Sequence, residues 1–513
     1  MQLLVSLAFI ITLVFAIVMI LFWLKNNDDL MEKFFFKYLK GDSRWSRKYE
    51  FTKRLSKVNL NAGNYNFAGI PLLSNSKKVW VDNNEGHSLI IGTTGSGKTR
   101  RIVNPMIKIL AKKGESMIIT DPKMELYNDS YSVLKEEGYN VILLNFRNPE
   151  YGNSWNPLDI PYNFYKNGNV DKSVEFLEAL AVNIFYTDFY SNMFPMNSYL
   201  EKAAADYFCA LALCLFEEGS QDEINLNSIA YLSSFGNERY KDTTYLKKYF
   251  DFKGKNHPGY FFAQGIMQEN SENKNQILTT FVQRIRIFIS RNSLSEMLST
   301  TDFDIKSIGE EKVALFIIMH DEKTTYHALA SIFIKQCYEY LIYYSQENNG
   351  SLKNRLNFIL EEFGNMPPIQ DFPNMITASR SRNIRFNLII QGISQLDMIY
   401  KYENSATIQG NCSNIICLLT SEQNSLEKIS NLCGEKIIRD SNNKVIEKKP
   451  LISITDLQKM KCGDVVIIKH SLYPYRTKLP DQSKYLFNSS ITPLFEIKSR
   501  KKVKIFEMAK LFK

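Results

Sequence analysis

Short apolar runs recur along the chain and are bounded by turn residues: HSLII (87–91), SMIIT (116–120), NVILLNF (140–146), KVALFIIM (312–319), NFIL (357–360), FNLIIQ (386–391), NIICLLT (414–420) and DVVIIKH (464–470). Runs of this length, rich in β-branched residues and without polar alternation, predict strands buried on both faces. They alternate with helix-length segments, so the expected fold class is α/β with a mostly parallel sheet. The alternation stops between about 159 and 300. There KSVEFLEALAVNIFY, SYLEKAAADYFCALALCLFEE and ENKNQILTTFVQRIRIFISR read as helices, and no strand-like run is visible. This predicts an all-helical insertion between the third and fourth strands. Its aromatics, at helical spacing, read as core.

The first apolar run is of another kind. LLVSLAFIITLVFAIVMILFWL, residues 3–24, carries no charge and as a helix would extend about 33 Å, enough to cross a bilayer. No basic residue precedes it and no small-residue cleavage site follows, so it reads as a permanent anchor rather than a signal peptide. Between Lys25 and Lys57 lie ten Lys/Arg and five acidic residues, which places everything after residue 24 in the cytoplasm. The expected divisions are an anchor at 1–24 and a basic juxtamembrane segment at 25–80, lying on the inner leaflet or serving as a linker. A nucleotide-binding domain follows in two parts, 81–158 and 300–485, around the insertion at 159–299. The basic tail, 486–513, reads as an amphipathic helix.

Composition adds little and excludes some chemistry. A chain of 513 residues, 44% hydrophobic, needs more than one core. Its net charge of +9 permits anionic partners. The seven cysteines form no CxxC pair and only five histidines are present, which argues against a zinc site and fits reduced thiols in the cytoplasm.

The chemistry begins at IIGTTGSGKTRR. Gly92, Thr93, Thr94, Gly95, Ser96, Gly97, Lys98 and Thr99, with Arg100 following, make a complete phosphate-loop signature between a strand and a helix. The glycines let backbone N–H groups turn inward, and the helix N-terminus adds its dipole. Lys98 is expected to reach the β- and γ-phosphates of ATP, and the Thr99 hydroxyl to hold Mg²⁺. A later strand should deliver a carboxylate to that metal. NFILEE is the leading candidate, with Asp121 at the end of SMIIT the competitor. Glu361 would hold Mg²⁺, through its water, and Glu362 would polarise the attacking water. Glu361 stands where Asp is usual.

The same residues resemble a known family, the coupling ATPases of type IV secretion and bacterial conjugation (TraG/TraD-like). Besides the phosphate loop, the blocks DPKMELY (121–127), SWNPL (154–158), STTDFDI (299–305), ILEEFGNMPPI (359–369), ASRSRNIRFNLIIQGISQL (378–396) and QGNCSNIICL (409–418) occur in the family's order over roughly 85–485. The resemblance implies a RecA-like P-loop NTPase core and a ring, expected to be hexameric, with ATP between neighbours. It implies a membrane-bound pump that takes a relaxase-bound single DNA strand to the secretion channel and its ATPases. It also implies a γ-phosphate-sensing role for Gln391 and a trans-acting arginine at Arg380, with Arg382 and Arg385 as alternatives. Asp121 and Lys123 read as a structural or interface pair. Three departures stand out: one visible span where many members have two, Glu361 in place of Asp, and no acidic tail. Two other readings are a chromosome-segregation translocase, which would want several spans and a small C-terminal DNA-reading domain, and an ATP-binding membrane receptor that docks protein substrates with little turnover.

Overall fold

The structure is a computed structural model; it describes residues 42–75, 77–186, 198–269, 271–320, 326–439, 445–485, 487, 493 and 497–512. Its centre is a nine-stranded sheet. Twelve strands concern us: β1 (Ser56–Asn59), β2 (Ile70–Ser74), β3 (Lys78–Asp82), β4 (His87–Ile91), β5 (Ser116–Asp121), β6 (Asn140–Asn145), β7 (Val313–Ile318), β8 (Leu356–Leu360), β9 (Ile384–Ile390), β10 (Cys412–Cys417), β11 (Asp464–Lys469) and β12 (Tyr475–Lys478). The large sheet runs β12-β11-β10-β4-β9-β8-β5-β7-β6. The seven strands from β10 to β6 are parallel, while β11 and β12 add antiparallel at one edge. All eight apolar runs lie in this sheet.

Burial on both faces explains why those strands lack alternation. Ile90, Ile119, Ile359, Ile389 and Ile416 pack on one face, against helices α1 (Asn104–Lys113) and α2 (Glu125–Glu136). Leu89, Ile91, Ile118, Leu360 and Leu388 belong to the core of the other face. That face is covered by three further helices, α4 (His327–Glu347), α5 (Phe372–Ser379) and α6 (Ile393–Asn411). The register brings the carboxyl ends of the central strands level: Ile91 pairs with Ile390 and Cys417, and Leu360 with Leu388 and Thr120. Ligands of open α/β sheets bind outside these ends.

The insertion leaves after β6 and returns before β7, which are hydrogen-bonded neighbours at the sheet edge, so it grows outward without breaking the ladder. Helix α3 (Ser198–Glu218) is its centre, with Tyr207, Phe208, Leu211 and Leu215 fully buried. Contrary to the expectation of helices alone, Arg239–Tyr240 and Thr243–Thr244 form a small hairpin there.

Two segments differ from their sequence reading. Residues 42–80, expected within a juxtamembrane stretch, are part of the folded body. There β1, β3 and β2 form an antiparallel sheet whose Val58, Leu72, Val79 and Val81 join the core under α1. The basic tail, expected as an amphipathic helix, has no helical backbone from 498 to 507 and ends in a short 3-10 turn, Met508–Phe512. Its Arg500 donates to Gly152 O (2.9 Å) and Ser154 Oγ (2.7 Å), and Lys498 pairs with Asp302. Phe506 and Met508 are buried in the helical unit. Glu507 between them is exposed.

No helix among the described residues is long and apolar enough to cross a membrane. The expected anchor at 3–24 lies outside the described residues.

Candidate functional site

The phosphate loop leaves β4 at Ile91 and re-enters regular structure through a π-helical turn, Thr99–Val103, that runs into α1. Gly92 N–H donates to Ile390 O (3.2 Å) and Thr93 N–H to Leu419 O (3.0 Å), which ties the loop's start to the strands on either side. Gly95 and Gly97 adopt φ of 78° and 93°, where a side chain is disfavoured. At Gly92 a Cβ would stand 2.6 Å from Ser96 Oγ, so close packing requires glycine there too.

Lys98 is buried, its Nζ donating to Gly92 O and to Thr93 O (3.2 Å) across the loop it closes. Burial pushes its pKa below the usual lysine value, against the opposing pull of Glu362 and Glu361. The Thr99 hydroxyl donates to Glu361 Oε1. Glu361 follows the end of β8, and its carbonyl accepts from Thr120 Oγ1 (2.8 Å). Burial pushes its carboxyl up to about 7, helped by Asp121 and Glu362, while the Thr99 bond and Lys98 pull the other way.

Glu362 takes the left-handed conformation, φ 53° and ψ 37°, and so turns its side chain off the line of the strand. Its Oε2 accepts from Gln391 Nε2 (2.9 Å), at the end of β9, and from Asn365 Nδ2 (2.8 Å). Lys98, Thr99, Glu361, Glu362 and Gln391 line one cavity of about 480 Å³, with Thr93, Thr94, Gly95, Gly97 and Arg100 on its loop side. Ser96 is wholly buried beneath the loop and has no side-chain partner among the described residues.

The competitor for the metal acid is set apart. Asp121 accepts from Glu125 N–H (3.1 Å) and Tyr127 N–H (2.8 Å), holding the DPKMELY turn. Burial pushes its carboxyl up to about 6. The main chain of Lys123 also hydrogen-bonds the Asp121 carboxylate, while its exposed side chain lines the cavity, close enough to depress Lys98. Arg100 forms a two-pronged ion pair with Asp481 (2.9 and 2.8 Å) at the cavity wall.

Of the three arginines, Arg380 is exposed on a 3-10 turn ahead of β9, at the opposite end of that strand from Gln391. Arg382 bends back to Ala378 O (2.8 Å). Arg385 is removed from the candidates for a trans-acting role, because it is buried in the sheet. It pairs with Glu115 and donates to Asn357 Oδ1 (2.8 Å). Sequence reasoning missed Lys123, Asn365, Asp481 and Cys462 as cavity residues. Lys123 and Asn365 carried a signal, since both lie in blocks already singled out, DPKMELY and ILEEFGNMPPI; Asp481 and Cys462 did not.

The donors suit Mg²⁺. A hydroxyl and a carboxylate, both oxygen, meet at one point beside a buried lysine, and a hard cation prefers oxygen ligands. The buried carboxyl of Glu361 would be held ionised by such an ion.

A phosphate loop and strand-end carboxylates on a large, mostly parallel sheet define the class, a RecA-like nucleotide-binding fold. The chain belongs to the family described as Type IV secretory system Conjugative DNA transfer, whose profile matches residues 42–455, and is a type IV coupling protein. The plasmid coupling protein TrwB, solved with the ATP analogue ADPNP, superposes with a TM-score of 0.62 at 15% identity, over 89% of this chain and 97% of that one. TrwB solved with ADP and Mg²⁺ gives 0.60 at 15% identity, over 90% and 95%. At this identity the likeness is one of fold. No curated protein matches the sequence.

Proposed function

We propose that this coupling protein is an ATP-driven motor that recruits a relaxase-bound single DNA strand and drives it into a type IV secretion channel. It acts from the cell membrane, anchored by residues 3–24, as a ring of six subunits with ATP at each interface. The observation that carries the reading is the meeting of Thr99 and Glu361 beside Lys98, with the second carboxylate, Glu362, on the same cavity. The ADPNP and the ADP and Mg²⁺ bound to TrwB support the same reading.

In this mechanism Lys98 leaves the carbonyls of Gly92 and Thr93 for the β- and γ-phosphates. Thr99 and Glu361 would hold Mg²⁺, which would supply neutralisation of phosphate charge. Glu362 accepts the proton of the attacking water. Gln391 orients Glu362 and senses the γ-phosphate, and Arg380 reaches the site of a neighbouring subunit. DNA contacts through phosphates carry no base code, as a pump indifferent to sequence requires, and weaken with salt.

The test is ATP hydrolysis by the full-length protein in detergent, with and without single-stranded DNA, beside Glu362→Gln. Stimulation by DNA that salt weakens and the variant loses is the expected result. Confirmed ATP binding and ring assembly without turnover would favour the receptor reading instead.

A further inference from the structure

The side chain of Glu362 is held by a closed ring of amides. Gln391 N–H, a main-chain group that can only donate, reaches Gln395 Oε1 at 2.9 Å. This fixes which end of the Gln395 amide is oxygen. Its nitrogen then faces Asn365 and donates to Asn365 Oδ1 at 3.0 Å. That bond fixes Asn365 in turn, leaving its Nδ2 to donate to Glu362 Oε2 at 2.8 Å. Gln391 Nε2 closes the ring on the same oxygen at 2.9 Å. Both bonds fall on Oε2, and among the described residues no donor is assigned to Oε1, while Glu362 lines the cavity.

The ring is tightly built. A Cβ at Gly364 would stand 2.6 Å from Gln395 Oε1 and 2.8 Å from its Cβ. Only glycine lets α6 bring Gln395 so near the turn that carries Glu362 and Asn365. The amides come from two places: Asn365 from the turn after β8, and Gln391 and Gln395 from the end of β9 and the first turn of α6.

We propose that Asn365 and Gln395 are positioning residues for hydrolysis, orienting Glu362 so that Oε2 is anchored and Oε1 is presented to the attacking water. Neither needs to touch nucleotide. Gln395 acts at one remove, by setting the direction of the Asn365 and Gln391 amides. The inference rests on the ATPase reading above.

Single-turnover and steady-state hydrolysis by full-length Gln395→Met and Asn365→Ala tests it, with binding of a fluorescent non-hydrolysable ATP analogue measured in parallel. Methionine keeps the volume of Gln395 and removes its hydrogen bonds. Each variant should lose roughly tenfold or more in kcat, a part of what a positioned base supplies, with KM and analogue affinity within about twofold of wild type. The double variant should be little worse than either single, because the residues act as one unit. In a Glu362→Gln background, Gln395→Met should cost nothing further. Wild-type turnover with an unchanged kcat in Gln395→Met would overturn the assignment alone. So would a fall in kcat matched by lost nucleotide affinity, or one persisting in the Glu362→Gln background. A wild-type protein without turnover would overturn the ATPase reading, and this role with it.

Discussion

Arg385 sits in a motif rich in arginines, and a substitution there tests whether its role is structural. Its side chain is 4% exposed and that of its partner Glu115 is 7% exposed. The guanidinium also donates to Asn357 Oδ1 (2.8 Å) and to the carbonyls of Asp82 (3.4 Å) and Asn84 (3.3 Å), so it joins β9 to β8, β3 and the start of β5. Arg385→Ala would leave the Glu115 carboxylate in the sheet with Arg355 as its remaining cation, 3.7 Å from Oε1. Breaking a buried pair by removing one partner costs about 3–5 kcal/mol. The surviving Arg355 contact places the expected loss near the lower end, about 3 kcal/mol, out of a total stability of roughly 5–15 kcal/mol. Urea unfolding of the nucleotide-binding body should show that loss. Arg385→Met combined with Glu115→Leu removes both charges and should recover all but about 1 kcal/mol. A shift below about 1 kcal/mol in Arg385→Ala, or lost turnover at full stability, would refute the reasoning.

Arg380→Ala, on an exposed turn, should leave stability within about 0.5 kcal/mol of wild type and abolish turnover of assembled rings. Mixing it with Lys98→Ala subunits should restore part of the rate, since each can complete the other's site; failure to complement would count against action in trans. His87 is 2% exposed, and burial pushes its imidazole down to about 4. The unfolded chain therefore takes up a proton near pH 6.5 while the native state does not, so stability is full above that pH and falls by about 3 kcal/mol on descent to pH 4. His87→Gln should flatten that part of the stability profile, read by thermal unfolding at a series of pH values. Deleting residues 497–513 removes buried Phe506 and Met508 from the helical unit. Limited proteolysis should then cut that unit sooner than in the intact protein, and an unchanged digestion rate would show that the tail contributes nothing.

The sheet was legible because its strands are buried on both faces and announce themselves as apolar runs. Strand β12, Tyr-Arg-Thr-Lys at the sheet edge, offered no such run, since an edge strand keeps polar side chains. Strands β1 to β3 were hidden for a related reason. Their alternation, clear in Lys78-Val79-Trp80-Val81-Asp82, lies at the end of a basic stretch whose net charge dominated the reading. The tail was misread because Lys and Arg flank its apolar residues in a way that fits a helix wheel, whereas its backbone from 498 to 507 is not helical. Arg385 was beyond sequence reasoning altogether: its partner Glu115 lies on another strand's approach, 270 residues earlier. Burial of a cation depends on what the fold places opposite it.

The two adjacent glutamates show how far a local pattern reaches. Sequence reasoning could say that a strand ends on two carboxylates and that a phosphate loop elsewhere wants both a metal acid and a base. It could not say how neighbours in the chain come to face one cavity, since consecutive side chains on a strand point to opposite faces. The backbone supplies the answer. Glu361 keeps the course of β8 and meets Thr99, whereas Glu362 turns into the left-handed region, at a cost of roughly 1–3 kcal/mol. That turn brings the second carboxylate back to the same cavity, where Asn365 and Gln391 hold it. Strain of this size at a non-glycine residue persists only where surrounding contacts over-determine it, and here the amide ring and the close approach at Gly364 do so. A glycine at position 362 would relieve the strain and remove the second carboxylate, so the strained backbone is what places two carboxylates side by side on one site.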